Sequence, residues 1–204
     1  MSALIAAFAA YLMGGIPTGV AVSRYVLGRD VRAFGSGNPG AVNVWRVFGL
    51  KWGLLVVFVD IGKGYLAVKL LPHFAGDAIW AGYPSFLGLL AVAGHIWSPF
   101  THFRGGKGVG TAVGAALALH PAAAGAAIAV WLLVVSITRY SSVASLTASW
   151  LYPAAVYFAN DPSRAELVTA LLIPAILVWT HRQNLQRLRA GQELKIGEGP
   201  HVSG

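Results

Sequence analysis

"KGVGTAVGAALALHPAAAGAAIAVWLLVVSITR", residues 107–139, carries no Asp, Glu, Lys or Arg between its terminal Lys107 and Arg139. A helix that crosses a bilayer needs about 20 mainly apolar residues, so the stretch is overlong for one crossing and short for two. His120-Pro121 decides between them, because proline disfavours continuation of a helix and restricts the residue before it. The run divides there into a short segment, 109–119, that need penetrate only part way, and a longer one. Keeping Lys107 and Arg139 on one side of a membrane also demands two crossings.

The same logic extends outward in both directions. Of the 204 residues 56% are hydrophobic and 11% charged, and the mean hydropathy is +0.65, more apolar than a single soluble core requires. Apolar runs at 54–71 and 79–100 are separated by the turn signal "PHFAGD", and those at 143–158 and 167–180 by "NDPSRAE". The opening "MSALIAAFAAYLMGGIPTGVAVSRYVLGRDVR" has its arginines after the apolar stretch, the reverse of a secretory signal, and predicts a retained first span.

Most basic residues fall into four groups: Arg24 to Lys51, Arg104 with Lys107, Arg139, and Arg182 to Lys195. The positive-inside rule places all four in the cytoplasm, with Asp77, Asp161 and Glu166 outside. The expected fold is an all-α integral membrane protein of one domain, 1–204, with seven transmembrane helices, N-terminus outside and C-terminus cytoplasmic. The predicted spans are about 3–27, 47–71, 79–100, 107–119, 122–138, 143–159 and 165–184. A net charge of +8 is then read as orientation plus anion binding rather than nucleic-acid binding. Cysteine is absent, so neither disulfides nor thiolate chemistry is available.

Four cytoplasmic motifs carry the remaining polar chemistry. In "GSGNPGAVNVWR", residues 35–46, Asn38-Pro39 reads as a helix N-cap and first helical position, so the turn with Ser36 and Gly37 would present amides to an anion. Asn43 and Arg46, three apart, would share a face of that helix. In "GHIWSPFTHFRGGKGVGT", residues 94–111, Thr101 and Gly108 exclude a Walker A loop. The glycines Gly105, Gly106 and Gly108 could instead turn successive amides into an anion nest, with Lys107 as a point charge. His95 reads as a structural hydrogen-bonder near the membrane interface.

In "TRYSSVASLTA", Ser142 and Ser145 near a helix start read, taken alone, as caps. In "HRQNLQRLRAGQELK", His181, Asn184 and Arg187 follow one helical face and Gly191 offers a C-cap. Asp60 and Lys63, three apart inside the second span, are equally a self-neutralising couple and a functional pair. Trp80, Tyr83, Trp97 and Tyr140 read as interfacial anchors.

No pair of cytoplasmic carboxylates forms a metal-ligand pattern, and no nucleophile-elbow serine is present. What remains is cations, amides, hydroxyls and histidine. Such groups suit substrates that bring negative charge and an already activated bond, so that catalysis is positioning and electrostatic stabilisation. A small-anion or phosphate transporter is the alternative, but the later spans offer few polar groups beyond Asp60 and Lys63.

These residues carry a resemblance. The motifs "GSGNPGAVNVWR", "DIGKG", "GHIWSPFTHFRGGKGVGT", "RYSSVAS" and "HRQNLQRLRAGQE", in order over nearly the whole chain, resemble those of the bacterial acyl-phosphate-dependent glycerol-3-phosphate acyltransferase family, PlsY. The resemblance implies a seven-helix inner-membrane enzyme with a cytoplasmic active site. Such an enzyme transfers an acyl group from acyl phosphate to glycerol 3-phosphate and needs neither metal nor cofactor.

By the same resemblance Ser36, Asn38, Asn43, Arg46, Lys107, Ser145, His181 and Asn184 line the site, with Gly105, Gly106 and Gly108 shaping a phosphate loop. His181, Lys107, Asn184 and Ser145 are the expected catalytic set; Gly37 and Ser142 join the binding set. Membrane lipid and a soluble enzyme that makes acyl phosphate are the implied partners. His102 and Gly110 depart from the family's more frequent glycine and alanine.

Overall fold

The computed structural model describes residues 2–76 and 79–198; Asp77, expected on the outer side, lies outside them. Among the described residues the fold is all-helical. Helix α1 (Ala3–Gly15) stops at Ile16-Pro17, and α2 (Thr18–Ala21) resumes with a π-type turn through Val26, bent by 42° from α1. Helix α3 (Ala41–Phe48) is short and is parted from α4 (Leu50–Lys69) by Gly49 at φ 94°. Then come α5 (Tyr83–Ile96) and α6 (Val109–Leu119), which leaves Lys107 in the loop before it.

His120-Pro121 breaks the central run as its chemistry requires. His120 sits at φ −136° and Pro121 opens α7 (Pro121–Thr138), whose missing N–H costs nothing there. Helix α8 (Ser141–Asn160) follows. Ser163 and Glu166 then form a reciprocal capping box that starts α9 (Arg164–Thr180). The segment expected as one helix over 165–184 is two: α10 (Arg182–Arg189) leaves α9 at 55°. The break falls at His181, whose N–H still bonds back into α9 while its carbonyl accepts from Leu185.

Among the described residues α7 alone is, by length and composition, apolar and long enough to cross a membrane unaided, with mean hydropathy 2.0; the bent pairs α1–α2 and α9–α10 also qualify if each is one span. The other helices are shorter or carry buried polar groups, and they pack through small residues. A Cβ on Gly14 would fall on the Ala91 carbonyl oxygen and one on Gly94 on the Tyr11 carbonyl, so α1 and α5 touch at two reciprocal points. Gly64 meets Thr111, and Gly114 meets Ile61, in the same way between α4 and α6. Close backbone approach of this kind substitutes for the hydrophobic drive that lipid does not supply.

Tyr83 is no interfacial anchor. It is 1% exposed and its hydroxyl donates to the Ala3 carbonyl at 2.6 Å, tying α5 to the start of α1. The outward faces are apolar instead, with Leu4, Phe58, Ile137 and Phe158 exposed.

Candidate active site

The turn before α3 is built around Asn43. Its Oδ1 accepts from the Ser36 N–H at 2.9 Å, and its Nδ2 donates to the Phe34 carbonyl at 3.0 Å. Gly35 and Gly37 hold left-handed φ values of 58° and 72°, and a Cβ on Gly35 would strike Asn43 Oδ1. Asn43, 2% exposed, is therefore the template of the turn and lies outside the lining of the cavity described below. Asn38 is not the N-cap: its Oδ1 accepts from the Gly40 N–H at 2.8 Å, and the helix begins at Ala41. An asparagine bonding two residues ahead closes a turn before the helix can start.

The glycine loop also differs from the expected nest. The Gly105 N–H donates to the Ile96 carbonyl at 2.9 Å and the Gly106 N–H to the His95 carbonyl at 3.1 Å. Those amides are committed to the end of α5. The glycines are needed because the loop packs directly on His95: a Cβ at Gly105 would fall on the His95 carbonyl, and one at Gly106 on the imidazole Nε2. His102 and Phe103 take left-handed conformations, at φ 54° and 59°, to begin the loop.

Lys107 then turns toward α10. Its Nζ donates to Asn184 Oδ1, and its carbonyl accepts from Thr180 Oγ1 at 3.2 Å. Burial lowers its pKa to about 8, helped by the Arg187 and Arg46 charges and resisted by Glu193.

At the α9–α10 junction His181 is 2% exposed, with Nδ1 2.8 Å from the Leu177 carbonyl. A carbonyl only accepts, so Nδ1 carries the proton and Nε2 is the basic nitrogen. One turn on, Asn184 links two partners, accepting from Lys107 and donating through Nδ2 to Glu193. Gly191 ends α10 at φ 67°, with Gln192 N–H bonded to the Arg187 carbonyl, and this reversal brings Glu193 back over the helix.

Glu193 was not singled out from the sequence, although it is an acid in a strongly basic stretch, two residues past a helix-stopping glycine. Its Oε1 accepts from Ser142 Oγ at 2.8 Å and from Asn184, and its Oε2 accepts from Arg187 Nε at 2.8 Å. Burial pushes its pKa up, but hydrogen bonds from Asn184, Arg187 and Ser142 outweigh it and hold the group below the usual glutamate value.

The serines of α8 are not caps, since Tyr140 occupies that position without a side-chain bond. Ser142 is spent on Glu193, and Ser145 Oγ accepts from Trp131 Nε1 at 3.0 Å. Arg46, 6% exposed, donates to the Glu198 carbonyl at 2.9 Å and reaches Asn43 Oδ1 at 3.4 Å. The chain after α10 thus lies across the first motif.

A cavity of about 910 Å³ opens where these segments meet. Of the residues expected from sequence, Ser36, Gly37, Asn38, Gly105, Lys107 and Asn184 line it. Asn43, Arg46, Gly106, Gly108, Ser142, Ser145 and His181 are not among its lining residues. Sequence reading missed Arg24, Asp30, Arg32 and Arg104, which also face it. Asp30 is gripped by Arg32 at 2.8 Å and Arg24 at 2.7 Å, and the Arg32 hydrogen bond above all holds its carboxyl well below the usual range. The wall is cationic and rich in donors, suited to phosphorylated ligands.

The glycerol-3-phosphate acyltransferase family profile matches residues 4–191. The chain is 39% identical to a glycerol-3-phosphate acyltransferase of Clostridioides difficile over 97% of each chain. It is 42% identical to glycerol-3-phosphate acyltransferase 2 of Moorella thermoacetica over 96% of this chain and 98% of that one. The fold is similar to a crystal structure of PlsY, described as an integral membrane glycerol 3-phosphate acyltransferase, in its glycerol 3-phosphate form. That likeness has a TM-score of 0.87 and 38% identity over 96% of both chains. The lysophosphatidic acid form gives 0.84 and 37%, covering 96% of this chain and 95% of that one. With the profile spanning nearly its whole length, this all-helical chain belongs to the glycerol-3-phosphate acyltransferase family.

Proposed function

We propose that this glycerol-3-phosphate acyltransferase takes its acyl group from acyl phosphate, releasing inorganic phosphate and lysophosphatidic acid. The observation that carries the reading is the convergence of three distant segments, at Ser36–Asn38, Lys107 and Asn184–Arg187, on one cationic cavity large enough for two phosphorylated groups. In this reading Lys107 with Asn184 holds one substrate phosphate, while Ser36, Asn38 and Arg187 orient the other. Arg46, His181, Ser142 and Ser145 support these groups from behind.

The glycerol hydroxyl oxygen attacks the acyl carbonyl carbon as the bond from that carbon to the phosphate oxygen breaks. The mixed anhydride brings its own leaving group, so the protein's task is orientation and charge stabilisation. The hydroxyl proton passes to the departing phosphate, which balances the reaction, while buried His181 supports Asn184 from behind. In the full topology of this reading seven helices cross the inner membrane of a bacterium, with the N-terminus outside and the cavity and C-terminus in the cytoplasm. The acyl chain lies among the helices, and the acyl phosphate arrives from a soluble enzyme that makes it.

The test is to supply the lipid-embedded protein with glycerol 3-phosphate and either palmitoyl phosphate or palmitoyl-CoA. Product with palmitoyl phosphate alone is expected; equal or better turnover of palmitoyl-CoA would contradict the donor assignment.

A further inference from the structure

One polar cluster stands outside the cavity and serves no part of the reaction described above. Asp60 and Lys63 lie a turn apart on α4, with side chains 6% and 4% exposed and Nζ 2.8 Å from Oδ1. Lys63 also donates to the Ile16 carbonyl at 3.0 Å, where α1 breaks, and Thr18 at the start of α2 donates to Asp60 Oδ1 at 3.1 Å. A buried ion pair is a weak source of net stability, so its use is better sought in what it fixes.

What it faces is His95. The imidazole on α5 turns Nδ1 toward Asp60 Oδ1 at 3.7 Å, its side chain is 10% exposed, and Nδ1 has no hydrogen-bond partner among the described residues. The other edge of the ring lies against the glycine loop, where Nε2 occupies the space a Gly106 side chain would need. The His95 carbonyl accepts the Gly106 N–H, and Lys107 follows directly. A narrow cavity lined by Thr18, Asp60, His95, Ser98, Gly105 and Gly106 lies beneath the loop, so the cluster supports the site from below.

We propose that Asp60, oriented by Lys63 and Thr18, sets the His95 ring, and that His95 is a positioning residue that fixes the glycine loop and hence the Lys107 ammonium relative to bound phosphate. This rests on the reading that Lys107 holds a substrate phosphate. The pair on α4, a turn of α5 and the break in α1–α2 then form one frame beneath the loop. His95 touches loop backbone rather than substrate.

The experiment measures KM separately for glycerol 3-phosphate and palmitoyl phosphate, with kcat and melting temperature, for the full-length enzyme in lipid. Lys107→Ala raises one of the two KM values and so identifies the phosphate it holds. His95→Gln and Asp60→Asn raise that same KM about tenfold and leave the other within about twofold. The double variant Asp60→Leu/Lys63→Met keeps the packing without charges; it melts no lower than wild type yet shows the same selective KM rise.

If Lys107→Ala moves neither KM, the phosphate-holding role fails and this inference falls with it. If Lys107→Ala moves one and His95→Gln does not move the same one, this inference alone is overturned. It is equally overturned if the double variant has wild-type KM values, or if His95→Gln changes both KM values only in step with a lowered melting temperature.

Discussion

The two sides of the glycine loop contrast sharply. Above it, Lys107, Asn184, Arg187 and Glu193 form a hydrogen-bonded chain beside a large open cavity. Below it, Asp60 and Lys63 again pair an acid with a base, beside His95, but buried within the helix packing. The upper group keeps a surplus of cations that a ligand can satisfy, whereas the lower one neutralises itself and holds backbone in place. Paired charges of this kind can serve as a binding site or as a frame according to whether water and substrate can reach them.

The largest effect that could break this contrast comes from Lys107. Lys107→Ala removes the ammonium aimed at the cavity and is expected to lower kcat/KM by about 100-fold or more, measured as phosphate release with saturating acyl phosphate. Near wild-type activity would reduce the upper cluster to a frame as well.

Gly106→Ala tests the boundary between the two. Its new methyl group must displace His95, at an expected cost of about 1–3 kcal/mol by thermal unfolding. Glu193→Gln leaves Arg187 without its charged partner and is expected to lower stability by about 2 kcal/mol in the same assay.

Titration separates the sides further. The Lys107 pKa is lowered to about 8 from the usual lysine value of 10.5, so its ammonium is present below pH 8 and lost as pH rises through it. The expected kcat/KM is flat approaching pH 8 from below and falls with unit slope above it, and Lys107→Arg abolishes the fall. Stability moves the opposite way. Between about 8 and 10.5 the unfolded chain binds more protons at this group than the folded chain, so its contribution to stability rises with pH. The smallest effect belongs to a position remote from both sides. Ser163→Ala removes the α9 capping box, costing about 1 kcal/mol of stability with unchanged KM values.

The helical architecture was legible where its causes are local. His120-Pro121, the "NDPSRAE" turn and the Gly191 stop each act within a few residues, and each appears where its chemistry requires. The α9–α10 bend at His181 was not legible, because no proline or glycine marks it and the apolar pattern runs up to it. Ser36, Gly37, Asn38, Lys107 and Asn184, drawn from motifs far apart in the chain, line one cavity.

The reasons assigned to several neighbours were nevertheless wrong. Gly105 and Gly106 spend their amides on α5, a contact between segments that spacing alone cannot disclose. Asn43 and Ser142 serve a turn and a carboxylate rather than face the cavity. Glu193 escaped notice because its donors, Ser142, Asn184 and Arg187, come from two helices.

The most direct test of the central claim is a single-turnover measurement with palmitoyl phosphate and glycerol 3-phosphate in lipid, following inorganic phosphate and lysophosphatidic acid together. One phosphate per lysophosphatidic acid is predicted, with none released in the absence of glycerol 3-phosphate and both products formed more slowly, in step with each other, in Lys107→Ala. Phosphate release that persists without glycerol 3-phosphate, or that continues unchanged in Lys107→Ala, would contradict it.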